Sequence, residues 1–160
     1  MDFAVLMQAC APEVHPVTLS KVVVTESTAN PYAIGVVGGR LERQPRSLGE
    51  AVATVRSLRD QRVDFSAGLG QINVRNWSRL GLDERSVFEP CRNLNAAQSI
   101  LRDCFLRATS GSEPQSALRK AFSCYYSGNF VTGFRHGYVA KVVHAPASLV
   151  TDTAARPAGD

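Results

Sequence analysis

The chain has 160 residues, 44% apolar and 20% charged, an ordinary composition for one soluble globular domain with enough chain to bury a core. No stretch approaches the roughly 18 consecutive apolar residues of a membrane-spanning helix, so stable membrane insertion is not expected. Eighteen basic side chains, fifteen of them Arg, against 14 acidic ones give a net charge of +4, too mild to point to nucleic acid. Phe3–Met7 is a short apolar run behind Asp2 with no Lys or Arg before it, shorter than the hydrophobic region of a secretion signal, so an export signal is not visible. Either the native start lies upstream or the chain is a mature form. Pro16 suits a first helical position, and Leu19, Val22 and Val23 share one face of a helix that Asn30-Pro31 stops. Tyr32–Gly39 reads as a short extended segment with a turn at Gly38-Gly39. Ser47 caps a helix to about Gln61 with Leu48, Ala51, Val55 and Leu58 at helical spacing. Ser66–Asn73 is glycine-broken and compact. Helices follow over 93–108, 115–126 and 136–144. Residues 1–145 are expected to form one mostly helical domain, and 146–160, rich in Ala, Pro and Thr, a disordered tail.

Residues 40–62 hold six Arg against Glu42, Glu50 and Asp60 and no aromatic residue. Such a segment suits an acidic partner or a solvated helix face, and without rings to stack on bases it gives nucleic acid little support. Cys10, Cys91, Cys104 and Cys124 are an even, widely spaced set without a C-x-x-C pair, and His15, His136 and His144 do not complete a zinc pattern, so no metal is expected. Two disulfides in an oxidising compartment are a better account than four free core thiols. Cys104 and Cys124 flank a turn near residue 113 at comparable distances, which pairs them across a helical hairpin and leaves Cys10 for Cys91.

Glu26 breaks its own local pattern. It stands seven residues after Leu19 and four and three after Val22 and Val23, so its carboxyl belongs to the apolar stripe of the first long helix. There a carboxylate must be paired or must stay protonated near neutrality, because desolvation raises its pKa. No G-x-S-x-G, H-E-x-x-H or EF-hand loop is present, and the cysteines are expected in disulfides. A carboxylic acid acting on a glycosidic bond is the chemistry that remains.

The residues around Glu26 carry a resemblance. Glu26-Ser27-Thr28-Ala29-Asn30-Pro31-Tyr32-Ala33 resembles the E-S-x-x-N-P-x-A motif of the soluble lytic transglycosylases. Gly68-Leu69-Gly70-Gln71-Ile72-Asn73 resembles their G-L-M-Q-I-N block with Gly70 in place of Met, and Asn93-Leu94 with Ala97 and Leu101 fits their N-[IL]-x-x-G-x-x-x-L helix with Ala in place of Gly. Ser123-Cys124-Tyr125-Tyr126-Ser127-Gly128 is similar to A-A-Y-N-A-G, keeping the first Tyr and placing Tyr126 where Asn is usual. With Ile34–Leu41 and the helix after it, the set resembles the specialised transglycosylases of type IV secretion systems.

The resemblance implies a mainly α, goose-type-lysozyme-like fold with a small β-hairpin, a periplasmic location and no cofactor. It implies peptidoglycan glycan strands as substrate and type IV secretion components as possible partners. Glu26 would be the single catalytic acid/base, protonating the leaving oxygen and then accepting a proton from the attacking hydroxyl. Two-carboxylate glycosidases need a second acid at a set distance, and the matched motifs hold none; Asp64 is the nearest. In this family the substrate's N-acetyl group assists and its C6 hydroxyl attacks, giving 1,6-anhydromuramic ends. Gln71, Ser66, Ser27 and Tyr126 would contact substrate, and Tyr125 would also hydrogen-bond near Glu26. The alternatives are a muramidase that uses water and a catalytically silent peptidoglycan-binding assembly factor.

Overall fold

The computed structural model describes residues 1–151. They divide into two compact units, one made of Met1–Thr25 with the chain from Gln98 onward, the other of Glu26–Ala97.

The first unit is helical. The apolar run behind Asp2 is helix α1 (Phe3–Cys10), whose N-terminus the Asp2 carboxylate caps by accepting the Val5 N–H at 3.2 Å. Helix α2 (Pro16–Ser27) begins at its proline, and its Leu19, Val22 and Val23 are fully buried. The same unit takes the C-terminal part of the long helix α4 (Pro90–Ala108), then α5 (Pro114–Ser127), α6 (Thr132–Arg135), α7 (Tyr138–His144) and α8 (Ser148–Thr151). Val22, Leu101, Phe122, Val139 and Val142 form its core. The expected helix over 136–144 starts only at Tyr138: Gly137 adopts φ +77°, a left-handed conformation that separates α7 from α6. Cys104 and Cys124 are bonded across the α4–α5 hairpin with their Cα atoms 5.7 Å apart, as the spacing predicts. Cys10 and Cys91 are also oxidised, and no described cysteine is a free thiol. The expected tail needs one correction. Ser148–Thr151 is helical and packs on α1, because Leu149 and Val150 interrupt the Ala/Pro/Thr composition; residues 152–160 lie outside the described residues.

The second unit pairs helix α3 (Leu48–Asp60) with a small antiparallel sheet. Ser47 accepts the Glu50 N–H at 3.2 Å as the N-cap of α3, and Ala51, Val52, Val55 and Leu58 are its buried stripe. Strands β1 (Ile34–Val36), β2 (Phe65–Ala67) and β3 (Ile72–Asn73) lie in that order, with Ile34 opposite Ala67, Gly35 opposite Ser66 and Ser66 opposite Asn73. The fold is therefore the expected mainly α class, but its hairpin is β2–β3 and not at Gly38-Gly39: β1, the expected extended segment, pairs instead with β2 across the length of α3. On the outer side of β1, the Gln44 amide stands in for a fourth strand. Its Oε1 accepts the Ile34 N–H at 2.8 Å and its Nε2 donates to the Ile34 carbonyl at 3.0 Å, which closes an edge that would otherwise expose unpaired backbone. The indole of Trp77 packs edge-on against Phe65 and donates to the Ile72 carbonyl at 3.0 Å, fixing the chain after β3.

Candidate active site

Glu26 lies in the last turn of α2, half-buried, one turn beyond the buried Val22 and Val23. Ser27, the last helical residue, is 6% exposed. The chain then reverses through two consecutive left-handed residues, Thr28 at φ +50° and Ala29 at φ +64°. For a β-branched residue this region is a true outlier, and such residues cost about 1–3 kcal/mol each unless their surroundings enforce them. The enforcement comes from Asn30, whose N–H donates to the Ser27 carbonyl at 3.0 Å while its side-chain oxygen accepts the Tyr32 N–H at 3.0 Å. The Asn30-Pro31 of the motif thus shapes the turn that ends α2 directly behind Glu26.

The second strained position is Gln71, at φ +52° at the end of the tight β2–β3 connection. Its Nε2 donates both protons to backbone, to the Ala33 carbonyl at 2.9 Å and the Gly68 carbonyl at 3.0 Å. That fixes the amide orientation and leaves Oε1 as an acceptor beside Gly35. A Cβ on Gly35 would sit 2.8 Å from that oxygen, so only glycine leaves the approach open. The connection itself hangs on Asn93, which is fully buried. Its Oδ1 accepts the Gly70 N–H at 2.7 Å, and its Nδ2 donates to the carbonyls of Ala67 at 3.1 Å and Val87 at 2.7 Å. Gly68 is required for this packing, since its φ is +82° and a Cβ would fall 2.1 Å from Asn93 Nδ2. Asn93 entered the sequence reading only as a motif position; the signal that marks its role is a buried amide beside a glycine-rich connection.

Ser66, half-buried on β2, accepts a long 3.4 Å hydrogen bond from Asn73. The same Asn73 amide donates to Asp64 at 2.8 Å, and the other Asp64 oxygen stands 4.0 Å from Arg75. Glu26, Ser27, Ser66 and Gln71 therefore all belong to the second unit.

Tyr125 and Tyr126 belong to the first. Tyr125 is half-buried against the helical core. Tyr126 is 44% exposed and lies stacked on Tyr138, ring centroids 4.7 Å apart, with its hydroxyl 2.9 Å from His136 Nδ1. His136 is a partner that the motif does not announce. Gly128, at φ +80°, ends α5 by donating its N–H to the Cys124 carbonyl at 2.7 Å. The buried Ser123 holds the following loop, donating to the Asn129 carbonyl and accepting the Gly133 N–H, each at 2.9 Å. Among the described residues no cluster of His, Cys, Asp and Glu could hold a metal ion, and no helix is long and apolar enough to cross a membrane.

The mainly α fold with a small sheet agrees with the family to which the sequence matches. Residues 3–140 match the Transglycosylase SLT domain, and the chain belongs to that family. It is similar to the type IV secretion system protein virB1 of Brucella abortus, 49% identical over 158 residues that cover 94% of this chain and 66% of the relative. Protein virB1 of Agrobacterium tumefaciens is 38% identical over 93% of this chain and 62% of its own length, and that of Agrobacterium fabrum 35% identical over 99% and 65%. The chain thus spans just under two thirds of the length of these curated relatives. No solved structure matches it.

Proposed function

We propose that the chain is a peptidoglycan lytic transglycosylase that cleaves the β-1,4 bond between MurNAc and GlcNAc, leaves 1,6-anhydroMurNAc ends, and so opens the cell wall for assembly of a type IV secretion system. The observation that carries this reading is Glu26, set at the end of α2 in the sequence E-S-T-A-N-P-Y-A and followed by the left-handed pair Thr28 and Ala29. Backbone strain gathers where a site must be held in one geometry, and Gln71 supplies the second such point.

In the proposed reaction Glu26 acts twice. Its protonated carboxyl gives a proton to the bridging oxygen as the bond to the muramic C1 breaks, and the N-acetyl oxygen of the substrate supports the electron-poor carbon. The Glu26 carboxylate then takes the proton of the C6 hydroxyl as that oxygen bonds to C1, which restores the acid and consumes no water. Gln71 offers its Oε1 to a substrate hydroxyl or amide N–H, with Ser66 on β2 and Ser27 next to the acid as further contacts. Tyr125 and Tyr126 are further proposed substrate contacts. Asp64, the acid nearest the Gly68–Asn73 block, has its carboxylate engaged by Asn73 and Arg75, which favours the single-acid route over hydrolysis. The names of the Brucella relatives support the secretion role, and oxidised cysteines support a periplasmic location.

Glu26→Gln keeps the size of the side chain and removes the proton donor. The purified variant, with an unchanged circular dichroism spectrum, is expected to lose about 10²–10⁴-fold in the rate of sacculus solubilisation. Full clearing by the folded variant would end the catalytic assignment.

A further inference from the structure

Two of the six arginines of 40–62 are tied into ion pairs. Arg43 is paired with Glu50 at 3.0 Å and Arg56 with Glu84 at 2.7 Å, and the Arg43 hydrogen bond and the Arg46 backbone N–H hold the Glu50 carboxyl below the usual carboxylate range. These charges are spent within the fold. Arg40, Arg46, Arg59 and Arg62 form no ion pair among the described residues. Arg59 and Arg62 line a shallow, solvent-open depression of about 370 Å³ with Val63, Asp64, Val74 and Arg75. Its one carboxylate, Asp64, is already engaged by Asn73 and Arg75, so three guanidiniums face a single occupied acid.

Two features suggest that these guanidiniums are held for use. Arg59 lies over the ring of Trp77, 5.6 Å from its centroid, an arrangement that orients the planar group while leaving its edge N–H donors free. Arg62 occupies the position after the C-cap of α3 at φ +56°, with the Val63 N–H returning to the Leu58 carbonyl at 3.0 Å. This closure of a helix is the place where glycine is strongly preferred. An arginine kept there against the backbone preference points to a function for its head group.

We propose that this concavity is a binding site for the carboxylate-bearing peptide stems of peptidoglycan. The inference rests on the peptidoglycan reading above. Guanidiniums pair with carboxylates through two parallel hydrogen bonds, and Val63 and Val74 give the small apolar surface that alanine methyl groups of a stem can cover. A polyanion such as nucleic acid is met by a stripe of charge along a face; here the charges surround one hollow. Engaging stems through this hollow would make the protein prefer cell wall in which the peptides are still attached and their carboxylates free.

The test uses a soluble stem tetrapeptide with free carboxylates, the same peptide amidated, and poly-glutamate of equal charge, titrated calorimetrically into the wild-type protein and into Arg62→Gly. That variant removes the guanidinium and suits the left-handed backbone, so its melting temperature is expected to hold or rise. The wild type should bind the tetrapeptide saturably, with affinity about tenfold weaker in Arg62→Gly and about tenfold weaker for the amidated peptide, the worth of one charge-assisted pair. Absence of saturable binding, equal affinity in Arg62→Gly, or poly-glutamate binding as well as the stem would each overturn the proposal. Glycan strands stripped of peptide separate the two readings. Their cleavage by the wild type upholds the peptidoglycan reading whatever the peptide does, and stem binding through Arg62 without any cleavage upholds this site alone.

Discussion

Replacing Asn93 by Ala removes three hydrogen bonds at one stroke from a site with no solvent access. A neutral intramolecular hydrogen bond contributes about 1 kcal/mol net, and a buried partner left without one costs about 1–3 kcal/mol. The Gly70 N–H and the Ala67 and Val87 carbonyls would each lose this partner. The expected loss is therefore about 3–5 kcal/mol, which is a large share of the 5–15 kcal/mol typical of a folded protein. Water entering the vacated space would reduce the loss toward the lower value. In urea denaturation followed by tryptophan fluorescence, Trp77 reports on this unit, and the midpoint should fall with the slope unchanged. Asn93→Asp should be at least as damaging, since it keeps the acceptor for Gly70 but turns a carboxylate toward two carbonyls. A loss below 1 kcal/mol for Asn93→Ala would refute the claim that this amide holds the β2–β3 connection.

Two further outcomes follow from the geometry. Gly35→Ala places a methyl 2.8 Å from Gln71 Oε1; it should lower sacculus solubilisation at least tenfold while moving the melting temperature by only a few degrees, and a fully active variant would remove Gln71 from the proposed site. Replacing Cys104 and Cys124 by Ala opens a loop of 20 residues and should cost about 3 kcal/mol in chemical denaturation, while non-reducing peptide mapping should recover the 104–124 link and a separate 10–91 link, any other pairing contradicting the assignment.

Most helices are legible because their stops and starts are local chemistry. Pro16, the Ser47 cap and the Asn30-Pro31 stop all act within a few residues. Helix α1 escaped because a short apolar run behind Asp2 resembles a weak signal segment more than a helix, and only its cap and packing distinguish the two. The extended segment at Tyr32–Gly39 is legible as β1, but its partners are not: Ile34 pairs with Ala67 across the whole of α3, and the glycine-broken Ser66–Asn73 gives no local pattern for β2 and β3. Gln44 acts as backbone through its side chain, which composition cannot reveal. The candidate site is proposed from its motifs, but the backbone they shape is not legible in them. Thr, Ala and Gln carry no propensity for positive φ, so the strain at Thr28, Ala29 and Gln71 becomes visible only in three dimensions. Asn93 shows the converse, a motif residue whose work is structural.

The central claim is that one carboxyl cleaves the glycan without water, and the mass of the released sugars tests it most directly. The C6 hydroxyl is tethered to the reacting carbon and has an effective concentration that free water cannot match, an advantage of several kcal/mol of barrier, roughly 7–11 in well-oriented cases. Digestion of purified sacculi by the wild-type protein, followed by mass spectrometry of the soluble muropeptides, should give anhydro ends one water lighter than hydrolysis products, and none with Glu26→Gln. Reducible muramic ends formed at the wild-type rate would contradict the account and make the protein a muramidase.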